Sequence, residues 1–155
     1  MSRAPFQVLV LPFRRAEDGS FEYAVLCRDD MKAWQGVAGG GELGETPAQA
    51  ATRETAEELG LASPVPLYPL QTTASIPARF FADRETWPTG TYVVPEHSFA
   101  ADVTDRKITL SHEHTEIQWL DAKKATAILR FDSNRTALGE LDERLSAGDL
   151  PDPVA

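Results

Sequence analysis

Three glutamates stand close together near the middle of the chain: Glu54, Glu57 and Glu58, at positions i, i+3 and i+4. On a helix those spacings make side chains neighbours roughly 5–6 Å apart, and each like-charge pair costs on the order of 0.2–0.5 kcal/mol in water. A hard divalent cation offsets that repulsion, since Mg²⁺ takes oxygen ligands and keeps positions for water and substrate phosphates. The chemistry in view is metal-assisted attack on a phosphate. Such a reaction needs neutralised phosphate charge, a positioned water and a base to take the water's proton.

The helix that must carry these groups has its own start and stop. Thr46 suits the N-cap, with Pro47 at N1 and Gln49 at N3 to close a capping box, and Gly60 suits the left-handed residue that ends it. Ala48, Ala51, Thr55 and Leu59 recur at helical spacing beside the carboxylates, a small-sided stripe that lets the helix press close to a sheet. Ahead of the helix the run Gly39-Gly40-Gly41 predicts a glycine-rich turn. Gly39, Gly41 and Gly44 satisfy GxGxxG, but Glu42 and Glu45 would crowd a pyrophosphate that needs an electropositive helix N-terminus. No Gly-Lys-Ser/Thr follows, so a P-loop is excluded.

Written out, Gly39 to Leu61 is GGGELGETPAQAATRETAEELGL. It resembles the Nudix box, the signature of hydrolases that cleave a nucleoside diphosphate linked to another group X. Thr55 departs from the aliphatic residue usual at its place; it lies on the inward side of the helix, so the change bears on packing. The resemblance implies an α/β fold, an α/β/α sandwich around a mixed β-sheet with a loop-helix-loop catalytic motif. It implies that Glu54, Glu57 and Glu58, with the Gly39 carbonyl, ligate Mg²⁺, with Mn²⁺ as a substitute. Arg53 and Glu45 then orient the helix, and Arg53 and Glu57 count among the catalytic residues. Branches of the family place the general base differently. Glu113, in Ser111-His112-Glu113-His114, is the first candidate and Glu116 the second.

Shorter words resemble the bacterial dihydroneopterin triphosphate pyrophosphohydrolases: Arg28-Asp29-Asp30 with Trp34-Gln35, Glu113-His114 leading to Trp119-Leu120-Asp121, and Ser133-Asn134-Arg135. On that resemblance Arg28, Gly40, Asn134 and Arg135 are expected at the substrate, a nucleotide or pterin polyphosphate cut to a monophosphate and pyrophosphate. Asn134 is equally explained as a helix cap. A sanitising (d)NTP hydrolase, an ADP-ribose-type hydrolase and a catalytically silent nucleotide-sensing domain are the alternatives. The loop from Ile76 to Gly90 has no counterpart in that branch, and such loops commonly set specificity in the family.

With 155 residues, 42% of them hydrophobic, the chain suits one domain over 1–147, with a frayed tail from Gly148 through Pro151 and Pro153. A net charge of −9 and a pI near 4.8 argue against binding a nucleic-acid backbone. No targeting signal is evident and no apolar run nears the roughly 20 residues that span a bilayer, so no membrane partner is expected and the cytoplasm is the default. Cys27, alone of its type, rules out an internal disulfide and reads as a small buried hydrophobe. His112 and His114 lack the Cys partner or His-x₃-His spacing of a zinc site and read as surface or substrate-contact groups. Oligomeric state is left open.

Around the central helix, Phe6–Phe13 and Phe21–Cys27 are apolar runs split by the polar turn 14–20 and predict a hairpin of buried strands. Trp34–Ala38 leads into the glycines. Pro64, Pro66, Pro69 and Pro77 punctuate a stretch suited to an edge strand and loop. Thr91–Val94 and Ser98–Val103 predict strand interrupted at Pro95, and Thr115–Leu120 a short strand. Asp121 caps a helix through Leu129, and Ser133 begins a last helix toward Leu145. Trp34 and Trp119 read as core rather than base-stacking platforms.

Overall fold

In the computed structural model, which describes residues 2–154, β1 (Arg3–Arg15) and β2 (Phe21–Arg28) form the expected hairpin. They pair only where Phe13–Arg15 meets Phe21–Tyr23 and then diverge. Beyond that point β1 runs beside β4 (Val37–Glu42), while β2 takes β3 (Ala33–Gln35) on the same edge and β7 (His114–Leu120) on the other. On its far side β1 pairs in parallel with β6 (Val93–Asp102), and β6 pairs antiparallel with β5 (Leu67–Pro77). One parallel pairing among antiparallel ones makes the sheet mixed, as expected.

Both faces of this sheet are covered, and β1 shows why. Val8 and Val10 point to one face and pack with Ala50, Ala51 and Leu59 of α1 (Pro47–Leu59). Leu9, Leu11 and Phe13 point to the other and pack with Ala125 of α2 (Ala122–Ile128) and Ala137, Leu138 and Leu141 of α3 (Asp132–Ala147). Period-two alternation within a wholly apolar strand is what a sheet buried on both faces requires. The result is an α/β/α sandwich. Cys27 is buried in β2 as anticipated, and Trp34 and Trp119 are half-buried against the two cores.

Four elements differ from the sequence reading. Gly39–Gly41 lie in β4, paired with Val8 and Gln7 of β1, so the turn is confined to Leu43-Gly44, where Gly44 has φ +89°. A side chain at any of the three would strike Glu54, Arg3 or Phe6, which leaves close approach, not turning, as the reason for glycine. Pro95 does not interrupt β6. The parallel ladder to β1 begins only at Glu96, so Pro95 has a strand on one side alone, where a missing N–H is tolerated. The proline-rich stretch is indeed the edge strand β5, but it is continuous over 11 residues. Finally, the tail is docked: Val154 N–H donates to the Leu67 carbonyl at 2.7 Å, and Leu150 and Val154 pack against the two cores. Ala155 lies outside the described residues.

Candidate active site

Helix α1 forms as its sequence dictates. The Thr46 hydroxyl accepts from Gln49 N–H, Gln49 returns the bond to Thr46 N–H, and Gly60 closes the C-terminus at φ +60°. Ala51, Thr55 and Leu59 are buried, with Ala48 half-buried beside them and Ala50 added to the stripe. The Thr55 hydroxyl donates to the Ala51 carbonyl at 2.7 Å, so its polar atom is satisfied within the helix.

The helix is tied to the sheet through Arg53. Its Nε and Nη2 each lie 2.9 Å from a Glu45 oxygen, a bidentate pair, and Nη2 also donates to the Gly40 carbonyl at 3.0 Å. Nη1 reaches Glu54 at 2.9 Å and Glu57 at 3.5 Å. Glu45 in turn accepts from Glu42 N–H at 2.7 Å, which fixes the loop before the helix. The Arg53 guanidinium beside Glu45 holds that carboxyl below the ordinary range, and the same contacts raise the guanidinium's own affinity for its proton. Arg53 and Glu45 thus hold the helix N-terminal half against β4.

The three glutamates sit in three environments. Glu54 presses against Gly39, where an added Cβ would come within 2.2–2.5 Å of its carboxyl group. Burial raises the Glu54 carboxyl, and Arg53 only partly compensates. Glu57 is exposed. Glu58 is 4% exposed and lies within a cluster from the β7 end: the Ser111 hydroxyl donates to Oε2 at 2.9 Å, and His114 Nδ1 stands 2.7 Å from the same oxygen. That histidine contact is short but not aligned as a hydrogen bond, and Nε2 has no partner either. Burial pushes Glu58 up, but its close polar neighbours His114, Glu113 and Ser111 outweigh it and leave the carboxyl below its ordinary range. The neighbouring Glu58 carboxyl, followed by partial desolvation, raises the Glu113 carboxyl above its ordinary range.

His114 corrects the sequence reading. It is 7% exposed rather than a surface group. Ile117 and Trp119 face α1, and strict alternation would turn Thr115 the same way, but a register shift opposite Cys27–Arg28 brings His114 inward instead. His112 stays exposed. Ser111 and Glu42 are site residues to which the sequence reading gave no role, and neither carried a local signal for one.

Arg28 ends β2 cross-strand from His114, is half-buried and pairs with Asp30 at 2.7 Å; the adjacent Asp29 N–H donates to the Glu113 carbonyl. The fold therefore gathers Arg28, Gly39, Gly40, Glu45, Arg53, Glu54, Glu57, Glu58 and Glu113 around one helix and two strand ends. Glu116 pairs with Cys27 on the sheet face away from α1. Asn134 and Arg135 are also apart. Asn134 is buried and accepts from Gly36 N–H at 2.8 Å, and Arg135 donates to the Leu129 carbonyl at 2.7 Å and pairs with Asp132. A separate open cleft of about 830 Å³, lined by Arg14, Arg106, Ile108 and Trp119, contains none of the three glutamates.

Among the described residues no three carboxylate, imidazole or thiol groups already form a closed cation cage. The donor set nonetheless fits a hard divalent ion: the box glutamates offer oxygen donors only, and Glu54 is desolvated against a glycine with its charge incompletely balanced.

The family model for the NUDIX domain matches residues 6–140. A Listeria monocytogenes protein of known structure, provisionally assigned to the NUDIX hydrolases, is 46% identical, with 95% of this chain and 98% of that one covered at a TM-score of 0.85. The dihydroneopterin triphosphate diphosphatase of Escherichia coli (strain K12) is 32% identical over 139 residues, 88% of this chain and 91% of its own. The structure of the E. coli dihydroneopterin triphosphate pyrophosphohydrolase is 28% identical at a TM-score of 0.70, with 93% and 99% of the two chains covered.

Proposed function

The chain belongs to the Nudix family of phosphoanhydride hydrolases, and from that premise we propose that it is a Mg²⁺-dependent pyrophosphohydrolase. Its substrate is a nucleoside-triphosphate-like molecule, dihydroneopterin triphosphate first among them, cut between the α and β phosphorus atoms. The observation that carries this reading is the Arg53 anchor: four hydrogen bonds of 2.9–3.0 Å that hold Glu54 against Gly39 and the helix against β4. Such groundwork positions carboxylates for a cation and has no purpose on a solvated helix face.

Glu54, Glu57, Glu58 and the Gly39 carbonyl would hold a divalent ion, whose charge would offset that of the substrate phosphates. The rest falls to the chain. Arg28, at the open end of β2, offers a fixed positive charge to the polyphosphate. Glu113 takes the water's proton on its carboxylate; the neighbouring Glu58 raises its proton affinity, in the direction of the working pH of a general base. Ser111 and His114 both approach Glu58 on its Oε2 side, at 2.9 and 2.7 Å. We place the protein in the cytoplasm; no helix among the described residues is long and apolar enough to cross a membrane.

The test is a hydrolysis screen over dihydroneopterin triphosphate, (d)NTPs, ADP-ribose and dinucleoside polyphosphates with Mg²⁺. Pyrophosphate as the first product, with the highest kcat/KM on the pterin, is expected. Orthophosphate first would overturn the bond assignment, and ADP-ribose or a dinucleotide outrunning every triphosphate would overturn the substrate assignment.

A further inference from the structure

Two buried polar atoms in β6 take no part in that chemistry. Glu96 and Ser98 are each 3% exposed, and neither Glu96 Oε1 nor Ser98 Oγ has a hydrogen-bond partner. Glu96 Oε2 is satisfied, accepting from Gln7 Nε2 at 2.9 Å. A buried carboxylate oxygen without a donor is costly, and native structures keep such atoms for a reason.

Their position suggests the reason. Strand register sets Gly40, Gln7, Glu96 and Ala74 in one row across the sheet, with Ala38, Leu9 and Ser98 in the next. Leu9 belongs to the core under α3, so both rows face that side. Gln7, Ala38 and Ala74 are half-buried, and α3 packs on β5 and β1 rather than on β4 or β6, so this end of the sheet keeps some access to solvent. A wall rises beside it from the two 3₁₀ turns at Ala78–Phe80 and Ala82–Thr86, where Trp87 packs on Val94 and donates to the Arg3 carbonyl at 2.8 Å. On the opposite face of β4 stands Glu54 against Gly39. Among the described residues β4 pairs with β1 alone, so its outer edge is open. A ring resting on Glu96 lies two strand spacings, about 10 Å, from Gly40, where the Arg3 guanidinium lies over the strand and can lead a polyphosphate past that edge to the box.

Resting on the triphosphate reading above, we propose that Gln7, Glu96 and Ser98 form the ring-reading part of the substrate site, and that they select adjacent N–H and NH₂ donors. That is the 2-amino-4-oxo pattern common to guanine and pterins. The unpartnered Oε1 of Glu96 is free to accept, and Gln7, having given its amide N–H to Glu96 Oε2, keeps its carbonyl oxygen as a second acceptor. Two acceptors side by side match two donors side by side. Adenine sets an acceptor nitrogen beside its amino group, and hypoxanthine has the N–H without the amine. A site built to receive a donor rejects a ring that lacks it far more strongly than an apolar pocket would.

The experiment compares kcat/KM for GTP, ITP and ATP, which share sugar and triphosphate, on the wild type, E96Q and S98A. The wild type should favour GTP over ITP by about tenfold or more, and E96Q should bring that ratio to within about threefold of unity, with S98A between. A wild-type ratio near one, or an E96Q ratio unchanged from wild type, overturns the proposal. If E96Q does not fold, calorimetric binding of GMP against IMP to the wild type decides: at least about tenfold tighter GMP supports the proposal, and equal affinity refutes it. Triphosphate hydrolysis without ring preference sinks this inference alone, whereas ring-selective binding without hydrolysis sinks the enzymatic reading and leaves this one standing.

Discussion

Gly39→Ala separates the site from the fold. An ideal Cβ at position 39 lies 2.2 Å from the Glu54 Cδ and 2.4 and 2.5 Å from its two oxygens. Ordinary contact needs about 3.4 Å or more between such atoms, so the carboxyl group must retreat by about 1 Å. It is the far end of a flexible side chain, and the backbone need not move. Position 39 sits in a strand with no positive φ, where alanine is compatible and narrows the unfolded ensemble by about 0.4–1 kcal/mol. Stability should therefore change little. A displacement of about 1 Å in a group that positions the reacting centre costs about 10²-fold in rate. The assay pairs kcat at several Mg²⁺ concentrations with the thermal midpoint by circular dichroism. Activity within threefold of wild type would refute the reasoning, as would activity and midpoint falling together. Gly41→Ala is the control: its Cβ would come within 2.0 Å of the Phe6 ring, in the core, so stability should fall first.

Arg53→Lys keeps the charge but not the fork, so activity or apparent metal affinity should drop by about 10–100-fold, and an Arg53→Lys enzyme titrating Mg²⁺ like the wild type would show the anchor to be incidental. Glu113→Gln should lower kcat by about 10²–10⁴-fold with little change in KM; Glu116→Gln, on the far sheet face, should be mild, and the opposite ranking in steady-state kinetics would move the base. Glu140 is pushed up by burial, but the N–H groups of Gln71 and Thr72, the Thr72 hydroxyl and Arg144 outweigh that and hold its carboxyl below the ordinary range. A folded value below the unfolded one, about 4.3, means the stabilisation is present above that pH and is lost as pH falls through the folded value. Glu140→Gln should thus destabilise the protein clearly at pH 7 and progressively less below about pH 4 in urea titrations; a gap that is constant with pH would contradict this.

Legibility in the sequence followed the range of the interactions. The box helix could be read to the residue, from Thr46 to Gly60, because its cap, its stop and the spacing of Glu54, Glu57 and Glu58 are settled within four residues of each position. The hairpin of β1 and β2 was legible for a similar reason, since a continuous apolar run can only be buried on both faces. The Arg53–Glu45 pair was named through resemblance, but its bidentate geometry and its third partner, the Gly40 carbonyl, required the sheet.

What only the tertiary structure decided depends on register between segments far apart in the chain. A one-residue shift between β2 and β7 turns His114 toward Glu58, and nothing in Ser111-His112-Glu113-His114 announces that shift. The three glycines read as a turn because glycine usually means one; here the side chains of Glu54, Arg3 and Phe6, brought from elsewhere, fill the space around a strand. Pro95 and the tail after Gly148 looked like breaks because their partners, β5 and the Leu67 carbonyl, lie tens of residues away. Glu96 gave no signal at all in the sequence. Its unpartnered oxygen exists only once β1, β4, β5 and β6 lie side by side and α3 stops short of covering them.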